Sequence, residues 1–162
     1  MSDPLRGALR RIQNLLQIGR TTVAADDSGP VQTVQLKTSN AQTRDKVPAS
    51  FHYGFSASMP VGTDVVVLNV SGDSTNGVII ASGHQTYRLK GLPAGGVALY
   101  DLTGSTVSLD GKGGIAATPS GGTFTVNGKL VVTGDATISG RSFLSHQHTG
   151  VEPGSGDTGA VV

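Results

Sequence analysis

Read in sixes from Thr123, the sequence runs TFTVNG, KLVVTG, DATISG and RSFLSH. The fourth place holds Val126, Val132, Ile138 and Leu144, and the second holds Phe124, Leu130, Ala136 and Ser142. Gly128, Gly134 and Gly140 close three hexads, and His146 closes the last. An earlier copy, TVSLDG at 106–111, sets Val107, Leu109 and Gly111 in matching places. A short fixed period punctuated by glycine marks a β-helical or fibrous repeat. Alternate residues of a strand share a face, so the even-numbered Phe124, Val126, Leu130, Val132, Ile138 and Leu144 fall together in an extended register. Val131 and Phe143 break the alternation, and turns at the glycines reset it. Four or five such hexads cannot close a core inside one chain. Identical chains wound about a common axis would supply that core. A disordered Gly/Ser/Thr-rich tail is the alternative.

Composition sharpens this contrast. Of the 24 glycines in 162 residues, 16 lie after residue 90, where only 8 residues are charged. Residues 1–90 carry a net +3 and residues 91–162 a net −2, for +1 overall. A field so close to neutral gives no sign of a nucleic-acid partner. There is no Cys and no Trp, which excludes a disulfide framework and any thiolate chemistry. No apolar run approaches the roughly 18 residues needed to cross a bilayer.

The first 90 residues read differently. Over 1–18 an amphipathic helix is expected, with Asp3 as N-cap, Pro4 at the first helical position and Gly19 as terminator. Leu5, Leu9, Ile12 and Leu16 form its stripe, and Arg6, Arg10 and Arg11 lie mostly off it. The arginines interrupt any signal-peptide core. Such a helix docks on its own domain, on an oligomer, on a partner or on a membrane surface. Residues 19–87 read as short strands at 21–25, 31–38, 64–70 and 77–82, separated by turn clusters at 26–30, 39–46 and 71–77. That spacing predicts a small OB-like barrel. Phe51, His52, Tyr53 and Phe55 make one aromatic cluster, read as core or interface packing, because the basic and aromatic mix that stacks bases is missing. Residues 88–96 form a Gly/Pro linker, 97–145 the repeat region and 146–162 a terminal tip.

His146-Gln147-His148 follows the last hexad. On a strand the two imidazoles share one side, the side of the apolar repeat residues. One chain offers two nitrogen ligands, whereas three chains about an axis offer six, an octahedral set suited to Fe(II), Ni(II) or Co(II) rather than tetrahedral Zn(II). The alternative is a pair of solvent-exposed polar residues.

A basic helix, an OB-like barrel, a Gly-punctuated repeat, His146-Gln147-His148-Thr149-Gly150 and then Gly154-Ser155-Gly156-Asp157-Thr158-Gly159 occur here in sequence. This order resembles the baseplate spike of contractile-tailed phages, the baseplate assembly protein V family of P2-like and Mu-like phages. The resemblance covers nearly the whole chain and is most specific over 141–159. It implies a mainly β homotrimer: an N-terminal helix and OB-like barrel, then an intertwined trimeric β-helix ending in a pointed, metal-bound tip. It implies iron on the three-fold axis, held by His146 and His148 of every chain, with calcium and chloride also found on the axis in the family. The implied role is mechanical and not enzymatic. The spike pierces the host outer membrane during tail contraction without integrating into it, and the barrel end joins the tail hub and baseplate. The implied location is the virion, after assembly in the host cytoplasm.

Three rivals are weaker. A hexapeptide-repeat acyltransferase needs three hexads per coil and many coils, and the contiguous run here makes little more than one. An OB-type nucleic-acid or glycan binder with a flexible tail meets the neutral charge and sparse aromatics. A glycoside hydrolase needs paired carboxylates, and Asp101, Asp110 and Asp135 are scattered without a supporting motif.

Overall fold

The computed structural model describes residues 4–147. The chain divides into two compact units, 1–123 and 124–162. The expected N-cap Asp3 lies outside the described residues.

The first unit opens with helix α1, Pro4–Asn14. Five strands follow: β1 (Leu16–Thr21), β2 (Thr33–Thr38), β3 (Thr43–Pro48), β4 (Asp64–Asn69) and β5 (Gly77–Gly83). They form one antiparallel sheet in the order β3-β2-β1-β4-β5. The sheet curls until the end of β3 reaches β5, where a parallel bridge joins Ala49 to Ile79 and the Ser50 amide donates to the Ile79 carbonyl at 2.9 Å. The result is an OB-like half-barrel, and the chain is mainly β. Its core is small and largely aliphatic: Val34, Leu36, Val47, Ala49, Met59, Val65, Val67 and Ile79. Each fully buried Val, Leu or Ile contributes about 1.5–3 kcal/mol.

Strand β1 departs from the expected pattern. Its buried face is Gln17, Gly19 and Thr21, while Leu16 and Ile18 face outward. The expected helix stops four residues early for this reason, since Leu16 belongs to a ladder with β4 and not to the helical stripe. Gly19 does not terminate a helix. It lies mid-strand, where an added Cβ would sit 2.8 Å from Leu36 Cδ1 and 3.1 Å from the Lys37 carbonyl oxygen. The polar inward residues are satisfied. Thr21 Oγ1 donates to the Pro60 carbonyl and accepts from the Thr63 amide, both at 2.9 Å. Arg44 donates to Asn69 Oδ1 at 2.9 Å and to Gln17 Oε1 at 3.2 Å.

The same network holds the helix. Asn69, fully buried, donates through Nδ2 to the Asn14 carbonyl at 2.6 Å and through its backbone amide to the Leu15 carbonyl at 2.9 Å. The 3-10 turn Val70–Gly72 then brings Gly72 against the Arg11 backbone. Thus α1 is fastened by its C-terminal end, while Leu5, Leu9 and Ile12 remain exposed. Strand β3 forms where a turn was expected, and its TRDKVP sequence carries little apolar signal. The expected wide-looped hairpin is present as β4, the 3-10 turn and β5.

Three four-residue strands complete the described order of this unit: β6 (Val97–Tyr100), β7 (Thr106–Leu109) and β8 (Ile115–Thr118). They make an antiparallel meander entirely within one chain. In the second unit, residues 124–135 carry no helix or strand and are all exposed. The two-residue strands β9 (Thr137–Ile138) and β10 (Arg141–Ser142) pair across Ser139-Gly140, both with positive φ, a tight turn suited to a hairpin.

Gly72 has φ +70°, and an added Cβ would overlap the Arg11 carbonyl. Gly72→Ala should therefore destabilise the first unit by about 1–3 kcal/mol. Denaturant unfolding gives the loss, and amide exchange should show α1 released first. Unchanged α1 protection would contradict this anchoring.

Candidate functional site

Of the two histidines expected to hold a metal, His146 is described and His148 lies outside the described residues. His146 follows β10 on a compact turn. The Phe143 amide donates to the Ala136 carbonyl at 2.7 Å, the Leu144 amide to Asp135 Oδ1 at 3.0 Å, and the Ser145 amide to Ser142 Oγ at 3.0 Å. The imidazole packs near the Phe143 ring, with centroids 5.9 Å apart. Its Nδ1 lies 2.6 Å from the Phe143 carbonyl oxygen. A carbonyl only accepts, so Nδ1 carries a proton and donates it. A ring N–H donated to a backbone carbonyl is the usual outer support of a metal-bound imidazole.

His84 is arranged the opposite way. Its Nδ1 accepts from the Thr86 amide at 3.2 Å, so Nε2–H donates to the Val61 carbonyl, also at 3.2 Å. The ring stacks on Tyr87 at a centroid distance of 4.3 Å. Both nitrogens of His84 are used in holding a turn. With both nitrogens committed, His84 has none left for a metal. Among the described residues no three His, Asp or Glu side chains gather to hold an ion. Closing a site on His146 needs ligands from elsewhere.

The three scattered carboxylates also have an account. Asp101 Oδ1 accepts from the Thr103 hydroxyl and amide and from the Ser105 amide, closing the β6–β7 turn. Asp110 Oδ1 accepts from the Lys112 and Gly114 amides at 2.7 and 2.9 Å, closing the β7–β8 turn. Asp135 holds the Leu144 amide beside His146. These bonds, from the Thr103 hydroxyl, the Lys112 amide and the Ser142 hydroxyl foremost, hold all three carboxyls below their ordinary range. They are turn staples, not a catalytic pair.

The aromatic cluster divides. Phe51 packs against the core, whereas His52, Tyr53 and Phe55 stand exposed on the following loop. On the outer face of the half-barrel, Arg20 Nε donates to Asp64 Oδ1 at 2.6 Å across the β1–β4 pair, and Gln85 donates to Asp64 Oδ2 at 2.7 Å. Sequence reasoning singled out neither of these pairs and named Asp101, Asp110 and Asp135 only as scattered carboxylates, without their place in turns. The Asp-x-Thr and Asp-x-Lys-x-Gly spacings were the signals available for the turns.

Residues 20–86 match the protein family described as Bacteriophage Mu Gp45, N-terminal. The match begins within β1, runs through β5 and stops before the meander. No curated protein matches the chain.

A group whose native pKa is lowered adds stability above its unfolded value and loses it as pH falls through the native one. The meander should therefore hold its order at neutral pH and lose amide protection as pH drops below about 4. Asp110→Asn keeps an acceptor at Oδ1. It should retain the β7–β8 turn and remove that carboxyl's share of the acid sensitivity, as read by hydrogen exchange of the Lys112 and Gly114 amides.

Proposed function

We infer that the chain, whose residues 20–86 match the Mu Gp45 N-terminal family of structural phage baseplate proteins, is the central spike of a contractile tail with its place in the virion. In this reading three copies assemble, with the half-barrels attached to the tail hub and baseplate. Residues 97–145 wind together as a β-helix, and 146–162 form the tip that pierces the host outer membrane.

One observation carries the reading. The repeat side chains Phe124, Val126, Leu130, Val132, Ile138 and Leu144 are 46–74% exposed in the single chain. Exposed apolar groups at a fixed period are costly in water and mark a surface meant for association. Burying them between chains returns about 25 cal/mol per Å². It also gives residues 124–135 strand partners that the described chain does not provide. Gly, Ser and Thr between them keep each chain thin, as a shaft driven through a membrane requires.

At the tip, His146 and His148 of each chain would hold iron. Support comes from the imidazole of His146, whose Nδ1 the Phe143 carbonyl already holds and whose ring packs near that of Phe143. Bound iron supplies cross-links between chain ends and takes no part in turnover. The Phe143 carbonyl and Asp135 fix where the imidazole stands before any ion arrives. Metal binding of this kind appears as assembly stability.

Mass in solution combined with elemental analysis tests the reading. A trimer with one iron per three chains is expected, and the His146→Ala/His148→Ala double variant should lose the iron while the half-barrel stays folded. A monomeric full-length chain would sink the spike reading. A metal-free trimer, purified without chelator, would remove the iron from it.

A further inference from the structure

Asparagine followed by glycine is among the least durable linkages in a protein chain. The main-chain nitrogen of the glycine sheds its proton and attacks the asparagine Cγ, a five-membered ring closes, and ammonia leaves. Water then adds at either ring carbonyl and opens the ring to aspartate or iso-aspartate. Glycine favours closure because no Cβ hinders the approach and its backbone turns freely. The chain offers three such places: Asn76-Gly77, Asn127-Gly128 and, with an acid in place of the amide and water as the leaving group, Asp110-Gly111.

Folding treats the three differently. Asn76 is tied by its main chain on both sides: its amide donates to the Asp73 carbonyl at 3.0 Å and its carbonyl accepts from the Val70 amide at 2.8 Å. Gly77 is buried at the start of β5, where an added Cβ would stand 2.5 Å from Arg44 Nη2 and Asn69 Oδ1 and 2.9 Å from Val67 Cγ1. Nothing can swing there without opening the half-barrel. Asp110 has its Oδ1 engaged by the Lys112 and Gly114 amides, and a Cβ on Gly111 would stand 3.0 Å from the Ala94 carbonyl oxygen. Asn127 and Gly128 are exposed, lie in no helix or strand, and have no hydrogen-bond partner among the described residues. A Cβ on Gly128 would meet nothing within 4 Å.

We propose that Asn127-Gly128 is a self-modifying site, the one of the three at which the folded chain cyclises and opens to aspartate and iso-aspartate. The co-reactant is water alone. Each event replaces a neutral amide by a carboxylate beside Lys129. In the iso form the main chain also runs through the former Cβ, which adds one atom between Val126 and Leu130. The sixfold period is then broken at its first closure, and an aged chain carries a mismatched first hexad. The site does not rest on the spike reading. Assembled or not, Gly128 closes a hexad and Asn127 lies off the even-numbered apolar face.

Two Asn-Gly pairs in one chain make the comparison internal. Trypsin places Asn76 in peptide 47–88 and Asn127 in peptide 113–129, and fragmentation locates each exchange of NH for O. β-Branched Thr75 and Val126 precede the two asparagines, so in denaturant the two sites should react at similar rates. In full-length folded protein held in mildly alkaline buffer, Asn127 should convert at least about ten times faster than Asn76, which must wait for its strand to open. Asn127→Gln closes a six-membered ring far more slowly and should abolish the acidic species that wild type accumulates on standing. Amide protection in β1–β5 checks that this variant is folded. Equal rates at the two sites in the folded protein, or slower conversion at Asn127, would overturn the proposal. Acidic species that accumulate unchanged in Asn127→Gln would also overturn it, since the reactive site then lies elsewhere.

Discussion

The structure depends on how little one chain can bury. A sheet of five strands curled on itself encloses eight buried apolar residues, none larger than Leu or Met, and among the described residues nothing beyond Ile79 in sequence joins that core. Leu36 packs so close over β1 that a Cβ at position 19 would sit 2.8 Å from its Cδ1, which leaves room there only for glycine. The side-chain period of a strand is two. Fixing Gly19 inward therefore fixes Gln17 and Thr21 inward and Leu16 and Ile18 outward. The polar inward residues survive because each is paired. Gln17 joins the Arg44–Asn69 network, and Thr21 bridges Pro60 and Thr63. The network does more than satisfy itself, because Asn69 also grips the last turn of α1. A choice made at one glycine thus sets which residues the half-barrel shows to its surroundings.

The parts of the fold that the sequence disclosed are those where apolar spacing and tertiary demand agree. The β4–β5 hairpin was legible because Val65–Leu68 and Gly77–Ile80 combine high β propensity with turn residues between them. The helix was legible through Leu5, Leu9 and Ile12, but its end was not. Leu16 sits four residues after Ile12 and extends the helical pattern as well as it begins a strand. Only pairing with Leu68 decides between them. Strand β3 was hidden because its place in the sheet comes from backbone ladders to β2, which TRDKVP does not advertise. Phe51 and Tyr53 are two residues apart and equally aromatic, yet one packs on the core and the other is fully exposed, a distinction set by loop path alone. At the candidate site, the spacing of His146 and His148 was visible from the start. The bond from the Nδ1 of His146 was not, since it depends on a carbonyl three residues back that only the turn brings near.

In-chain order also thins along the sequence. The half-barrel strands run six or seven residues, those of the meander four, and those of the last hairpin two. A two-stranded hairpin with no covered face is marginal in water, and two residues per strand is less than marginal. Each step toward the C-terminus therefore shifts the burden of stability from the chain's own ladders to contacts outside it. In the proposed spike the kind of contact changes in step. There the exposed hexads would take backbone and side-chain partners from other copies, and at His146 little apolar area would remain. The proposed metal would there hold the chain ends together. The turn that presents His146 uses Asp135, Ser142 and Phe143 to fix a ring that no hydrophobic core surrounds.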